Sequence, residues 1–271
     1  MYRGLGAWVD AYDYSPQYQG GKPPPVTVET IDAMASQGIR TLYLQAAKDD
    51  GRSPGLLVNP EIIGPMLARA HFRGIKVVAW YLPKFYDIES DMRRFVAMRD
   101  FRFEGHAFDG IGNDIEWRAD VADHAERSRR LVELSRRLEE AMAPGVVSAI
   151  PLPPVVMEVV NKNYWPDFPW DEMAPYYDVW MPQSYWTFRT RSSGYKDGYV
   201  YTDENIRRMR LNLGQPDAAV HPIGGTDGKA TDEDYRGFVR AAHEHRCIGA
   251  SIYDWRTTPP RVYPTLRESP R

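Results

Sequence analysis

Eight short runs of β-branched, aromatic and small apolar residues recur along the chain. They span 5–10, 40–46, 75–81, 108–116, 145–150, 178–185, 218–223 and 248–254. Apolar runs of this length, bounded by turn residues, predict strands. The segments between them carry helix signals. Thr27 can cap a helix over 28–37, with Gly38 as its stop. Asn59-Pro60 opens a second that ends at Gly74. Residues 88–98 and 119–142 have helical spacing, and the longer one stops at Ala143-Pro144-Gly145. Thr202 or Asp203 opens a helix closed by Gly214, and Thr231 precedes another over 234–246.

Strict alternation of strand and helix predicts a parallel sheet with helices outside it. Eight units in 271 residues average roughly 34 residues each, which fits a (β/α)₈ TIM barrel. The expectation is one barrel domain over 1–271. A doubly wound sheet would place a glycine-rich phosphate turn after the first strand. Here Asp10 is followed by AYDYSPQYQGG. Two stretches fit the alternation poorly. Segment 151–177 is rich in Pro and Trp, which predicts a short or irregular helix. After the last strand only RTTPPRVYPTLRESPR remains, so the eighth helix is expected to be short or absent.

Charge and composition narrow the function classes. Lys+Arg 34 against Asp+Glu 37 gives a net charge of −3. A dedicated nucleic-acid or anionic-membrane binder shows a basic excess, so neither partner is expected. The single cysteine, Cys247, excludes an internal disulfide framework and any CxxC site. No apolar run approaches a membrane span. The start, MYRGLGAWVDAY, has no apolar signal core, which implies a cytoplasmic protein or a mature domain without its targeting segment. Aromatic residues make up 13% of the chain, including 8 Trp and 17 Tyr, and many fall in the long strand-to-helix segments. In a barrel those segments form the C-terminal face, where active sites sit.

The strongest chemical signal is Phe108-Asp109-Gly110-Ile111-Gly112-Asn113-Asp114-Ile115-Glu116-Trp117. Side chains alternate across a strand, so Gly112, Asp114 and Glu116 share one face. Ile111 and Ile115 suit the helix layer, which turns the two acids into the barrel. Mutual repulsion and burial raise one pKa of such a pair, the property a general acid needs. The competing reading is a structural pair bonded to Arg, Tyr or backbone groups. Asp10, at the end of strand one and on the same face as Trp8, is the candidate second carboxylate. Its competing role is to bond backbone donors of the next turn.

This pattern resembles the DGxDxDxE motif of family 18 glycoside hydrolases, the chitinase-like barrels. Asp109-Gly110 matches its start, and Asp114 and Glu116 match its last two acids. Glu116 stands at the proton-donor position. Gly112 replaces the first acid, and Tyr177-Asp178-Val179-Trp180-Met181-Pro182-Gln183-Ser184-Tyr185 resembles the family's sixth-strand Met-x-Tyr-Asp region only loosely. Trp255 matches the tryptophan that floors the sugar site. The layout is also similar to family 25 lysozyme-like barrels, which pair a strand-one Asp with a later DxE; Asp10, Asp114 and Glu116 supply that set. The resemblance implies a glycosidase acting on a polysaccharide or oligosaccharide without a cofactor. The missing acid at Gly112 also admits a carbohydrate-binding barrel without turnover.

Other strand ends offer groups for sugar hydroxyls and faces: Trp8, Gln45, Tyr81, Gln183, Tyr185 and Trp255. The scattered histidines, His221 included, give no expected metal site. Gly224–Gly228 is a glycine-rich turn where barrels can hold phosphate. A lyase or isomerase on a phosphorylated metabolite would need a strand-terminal lysine, and none is read among the strand ends.

Overall fold

The computed structural model describes residues 1–225 and 230–271. Part of the Gly224–Gly228 turn therefore lies outside the described residues. Nine parallel strands form one sheet: β1 (Gly4–Val9), β2 (Thr41–Gln45), β3 (Lys76–Tyr81), β4 (Gly110–Ile115), β5 (Val147–Pro151), β6 (Val179–Trp180), β7 (Gln183–Ser184), β8 (Ile223–Gly225) and β9 (Gly249–Tyr253). Their order is β6-β5-β4-β3-β2-β1-β9-β8-β7.

The strand expected over 178–185 is broken into β6 and β7 at Met181-Pro182. Proline has no N–H to give to the ladder, which interrupts the strand. The two halves occupy one position and close the ring. Trp180 bridges Val220, and its N–H donates to the Ala219 carbonyl at 2.9 Å. The Pro182 carbonyl accepts from Ile223 N–H at 3.0 Å. On the other side, Met181 N–H donates to the Ala149 carbonyl at 2.8 Å. The architecture is a (β/α)₈ barrel, with one strand position shared by β6 and β7.

Outside the barrel lie α1 (Ala11–Tyr14), α2 (Thr30–Ser36), α3 (Pro60–Phe72), α4 (Ile88–Asp100), α5 (His124–Met142), α6 (Trp170–Met173), α7 (Gly198–Asn212), α8 (Asp232–Glu244) and α9 (Tyr263–Leu266). Some starts differ from the sequence expectation. Helix α7 begins earlier, because Asp197 accepts from Tyr199 and Val200 N–H and caps it. Helix α5 starts later, at the Asp123 cap. Thr27 turns its hydroxyl to Glu29 and caps nothing. Thr231 does cap α8, in a reciprocal box with Asp234. After β5 the chain makes a wide turn at Val156–Val160 and the four-residue α6, the irregular stretch expected there. The eighth helix is short: a 3₁₀ turn, Pro260–Val262, and the four-residue α9.

Strand parity divides the apolar side chains. Val77, Ala79, Tyr81, Ile111 and Ile115 belong to the outer core against the helices. Tyr2, Trp8, Tyr43, Val78, Trp80, Ile150, Met181 and Ile223 fill the barrel itself. Several polar groups of the barrel floor are paired with one another. Trp8 Nε1–H donates to Ser251 Oγ at 2.8 Å, and Tyr2 Oη–H to Ser148 Oγ at 3.1 Å. Fully buried His221 faces the Tyr2 carbonyl through Nδ1 at 2.8 Å and Tyr43 Oη through Nε2 at 3.3 Å. Burial pushes its imidazole down to about 4, so it is a neutral core histidine.

Candidate active site

Above that floor, at the C-terminal end of the strands, opens a cavity of about 510 Å³. Asp10, Gln45, Asp114, Glu116, Gln183 and Tyr185 all line it. Asp114 is the last inward residue of β4, and Glu116 follows one residue after the strand ends. Asp114 is buried and Glu116 partly exposed. Gln183 Nε2–H donates to Asp114 Oδ1 at 3.0 Å. Burial and the charge of Glu116 hold Asp114 well above the ordinary carboxylate range. Burial also raises Glu116, against the Gln183 amide and the charge of Lys48. Two acids in one low-dielectric space cannot both ionise cheaply, so the pair holds a proton to higher pH than either acid would alone.

Asp10 bonds a backbone donor of the next turn and also faces the cavity. It caps α1, with Tyr12 N–H donating to Oδ1 at 2.7 Å. Its other oxygen, Oδ2, accepts from Tyr253 Oη–H at 2.7 Å and Asp10 still lines the cavity. Burial raises its pKa, opposed by these two bonds. Behind it, one oxygen each of Asp10, Asp13 and Asp254 lie within 4.8 Å of one another. Burial, then the charges of Asp10 and Asp254, push Asp13 up to about 7, and Arg256 pairs with it at 2.8 Å.

Gln45 accepts from Ala11 N–H at 2.9 Å, which ties the end of β2 to the start of α1. Tyr185 packs against Gly225. A Cβ there would sit 2.3 Å from the Tyr185 ring, so a side chain at 225 would displace it.

Three residues expected at the sugar site lie elsewhere. Trp8 is one layer too deep: it is buried, stacked on Tyr43 at 4.5 Å and bonded to Ser251. Tyr81 faces the helix layer, where its hydroxyl donates to Asp91 at 2.6 Å. Trp80 takes the cavity position instead, because the run Val77–Tyr81 is apolar on both faces and offers no polar residue to set its phase. Trp255 lies beyond the end of β9, where strand alternation no longer holds, and packs on Tyr263 at 5.2 Å. The motif residue Asp109 is also remote. It sits at the other end of β4, bonded to Val77 N–H, Lys76 and His71.

The cavity holds groups that sequence reasoning missed. Tyr253 shares a strand face with Ser251, which was the available signal. Lys48 stands three residues past Gln45, just outside the strand boundary, so a lysine does follow a strand end. Tyr12 comes from α1, Tyr201 from α7, and Trp117, Tyr164, Phe188 and Arg189 from the segments that follow strands. Only their abundance in the long segments pointed to them.

The departure at Gly112 has a packing cause. A Cβ there would lie 2.9 Å from Ile150 Cδ1, 3.2 Å from Trp80 Cβ and 3.4 Å from Ser148 Oγ. A side chain at 112 would have to push aside the Ile150 terminus and crowd Trp80.

No family model matches the chain, and no curated protein matches it. Solved structures do. A class V chitinase from Pseudomonas fluorescens Pf-5 superposes with a TM-score of 0.70 at 8% identity, over 98% of this chain and 99% of that one. A glycoside hydrolase family 18 N-acetylglucosaminidase from Paenibacillus barengoltzii gives 0.63 at 9%, over 98% and 99%. The chain has the fold of the family 18 chitinase-like barrels. A chitinase-like agglutinin, RobpsCRA from Robinia pseudoacacia, shares this chitinase-like fold with a TM-score of 0.61 at 11% identity, over 97% and 98%. Enzymes and a lectin thus stand among its structural neighbours, and fold alone does not choose between them.

Proposed function

We propose that this chitinase-like barrel is a glycoside hydrolase acting on a polysaccharide or oligosaccharide. The observation that supports it most is the Asp114–Glu116 pair, raised by burial and opening onto one large cavity. Glu116, the more exposed member, protonates the leaving glycosidic oxygen. Asp114 shares the proton and holds Glu116 in place, itself oriented by Gln183. Asp10 is the second carboxylate, acting as nucleophile or base unless a substrate group takes that role. Tyr253 and the Tyr12 amide fix its oxygens. Gln45, Gln183 and Tyr185 bind hydroxyls, and Trp80 and Trp117 offer flat faces. The expected rate loss on removing the acid is about 10²–10⁴-fold.

The test is reducing-end release from a glycan panel, chitin oligomers and peptidoglycan included, by wild type and Glu116→Gln. Turnover by wild type that falls by that factor in the variant supports the hydrolase. A second reading, a carbohydrate-binding barrel without turnover, is favoured by the crowded acid position at Gly112. It would be upheld by equal glycan binding in both proteins with no turnover in either.

A further inference from the structure

Two cations line the cavity, in different surroundings. Lys48 lies past β2, and its charge acts on Asp10, Asp114 and Glu116 alike. It is the counter-charge of the acids. Arg189 lies past β7, four strand positions away and so across the barrel. Its Nε is buried without a hydrogen-bond partner among the described residues. Its guanidinium carbon is 5.8 Å from the Tyr201 ring, and no carboxylate of the described residues pairs with it. Other arginines fork onto acids, as Arg52 does on Asp50 and Arg137 on Glu89, while Arg127, whose Nε is also unpartnered, bonds a carbonyl and lies away from the cavity.

The surrounding loop has the same sign. Segment 185–197 contains Arg189, Arg191 and Lys196, and its one acid, Asp197, is used to cap α7. Past β4, exposed Arg118 lies 3.9 Å over the ring of Tyr164, which lines the cavity. Arg and Lys therefore outnumber the acids in the segment that carries Arg189, although the chain as a whole is acidic.

Resting on the glycosidase reading, we infer that the substrate is an acidic glycan and that Arg189 receives an anionic substituent on its sugar. The group is a carboxylate or a sulfate, both of which a planar guanidinium forks with two N–H donors. A neutral sugar seated there offers Arg189 only uncharged hydroxyl acceptors, whose bonds are weaker than the paired charge-assisted bonds of an anion.

The test measures glycan binding at 0.15 M salt on the Glu116→Gln background, so that no probe is consumed. Carboxylated probes are polygalacturonate and hyaluronan, sulfated ones dextran sulfate and keratan sulfate, and neutral ones chitin oligomers, cello-oligosaccharides and dextran. The expected result is retention of an acidic glycan, weakened at least about tenfold by Arg189→Gln. The control Arg136→Gln, on the outer face of α5, leaves binding unchanged. Which acidic arm responds tells carboxylate from sulfate. Acidic binding that Arg189→Gln leaves intact overturns the inference, as does binding of neutral glycans alone. Cleavage of a neutral glycan by wild type and not by Glu116→Gln would keep the hydrolase while removing the acidic substrate. Silence on every probe, in binding and in cleavage, would remove both.

Discussion

The floor and the opening of the barrel are built from the same strands, yet they treat polar groups in opposite ways. At the floor each buried polar group named above meets a neutral partner of matching sense. Trp8 gives its N–H to Ser251, Tyr2 its hydroxyl to Ser148, and His221 stands neutral between Tyr2 and Tyr43. At the opening, one or two residues further along, Asp10, Asp114 and Glu116 crowd into one cavity and burial raises all three. Parity places side chains inward at both levels; only the neighbours differ. A satisfied network gives rigidity, and a set of like charges in a low-dielectric space gives chemistry.

That contrast can be broken from the floor side first. Trp8→Ala removes a buried ring stacked on Tyr43 and edge-on to Trp80. The expected loss is about 3–5 kcal/mol of stability, read from urea unfolding. A loss below about 1 kcal/mol would mean that the floor is not the rigid support described. A smaller effect is expected between the two levels. Gly112→Asp places an acid where Ile150 and Trp80 already pack, at an expected cost of about 1–3 kcal/mol without a gain in turnover. An unchanged unfolding midpoint with faster hydrolysis would show that the position is open after all.

The smallest effect is expected at the opening, in a pH profile rather than in stability. Lys48 favours the ionised forms of Asp114 and Glu116, so Lys48→Gln raises both pKa values. The acid then keeps its proton to higher pH, and the alkaline limb of the activity profile moves up. An alkaline limb that stays in place or moves down would separate Lys48 from the pair.

The same contrast explains what was legible in the sequence. Strands with a polar residue on one face declare their phase. Tyr43 and Gln45 set it for β2, and Asp114 with Glu116 for β4, and both sets do point inward. Strand β3 carries no such marker. Val77–Tyr81 is buried on both faces, so the sequence does not tell which of its two faces, the one with Tyr81 or the one with Trp80, turns inward. Alternation also says nothing about depth: it puts Trp8 on the inward face, and Trp8 lies one layer below the cavity. It fails altogether past a strand end, where Trp255 turns away. Lys48, Arg189 and Tyr164 belong to loops, whose paths depend on tertiary packing that no local period encodes. The broken strand at Pro182 was visible as a proline but not as the seam that closes the ring.

The central claim is that the opening holds a proton on a coupled carboxylate pair. Carboxyl ¹³C NMR titration of wild type and Glu116→Gln tests it most directly. The expected result is an Asp114 midpoint well above the free-carboxylate range in wild type. It should fall in Glu116→Gln, where the neighbouring charge is gone but burial persists. An Asp114 that titrates near 4 in both proteins would contradict the account.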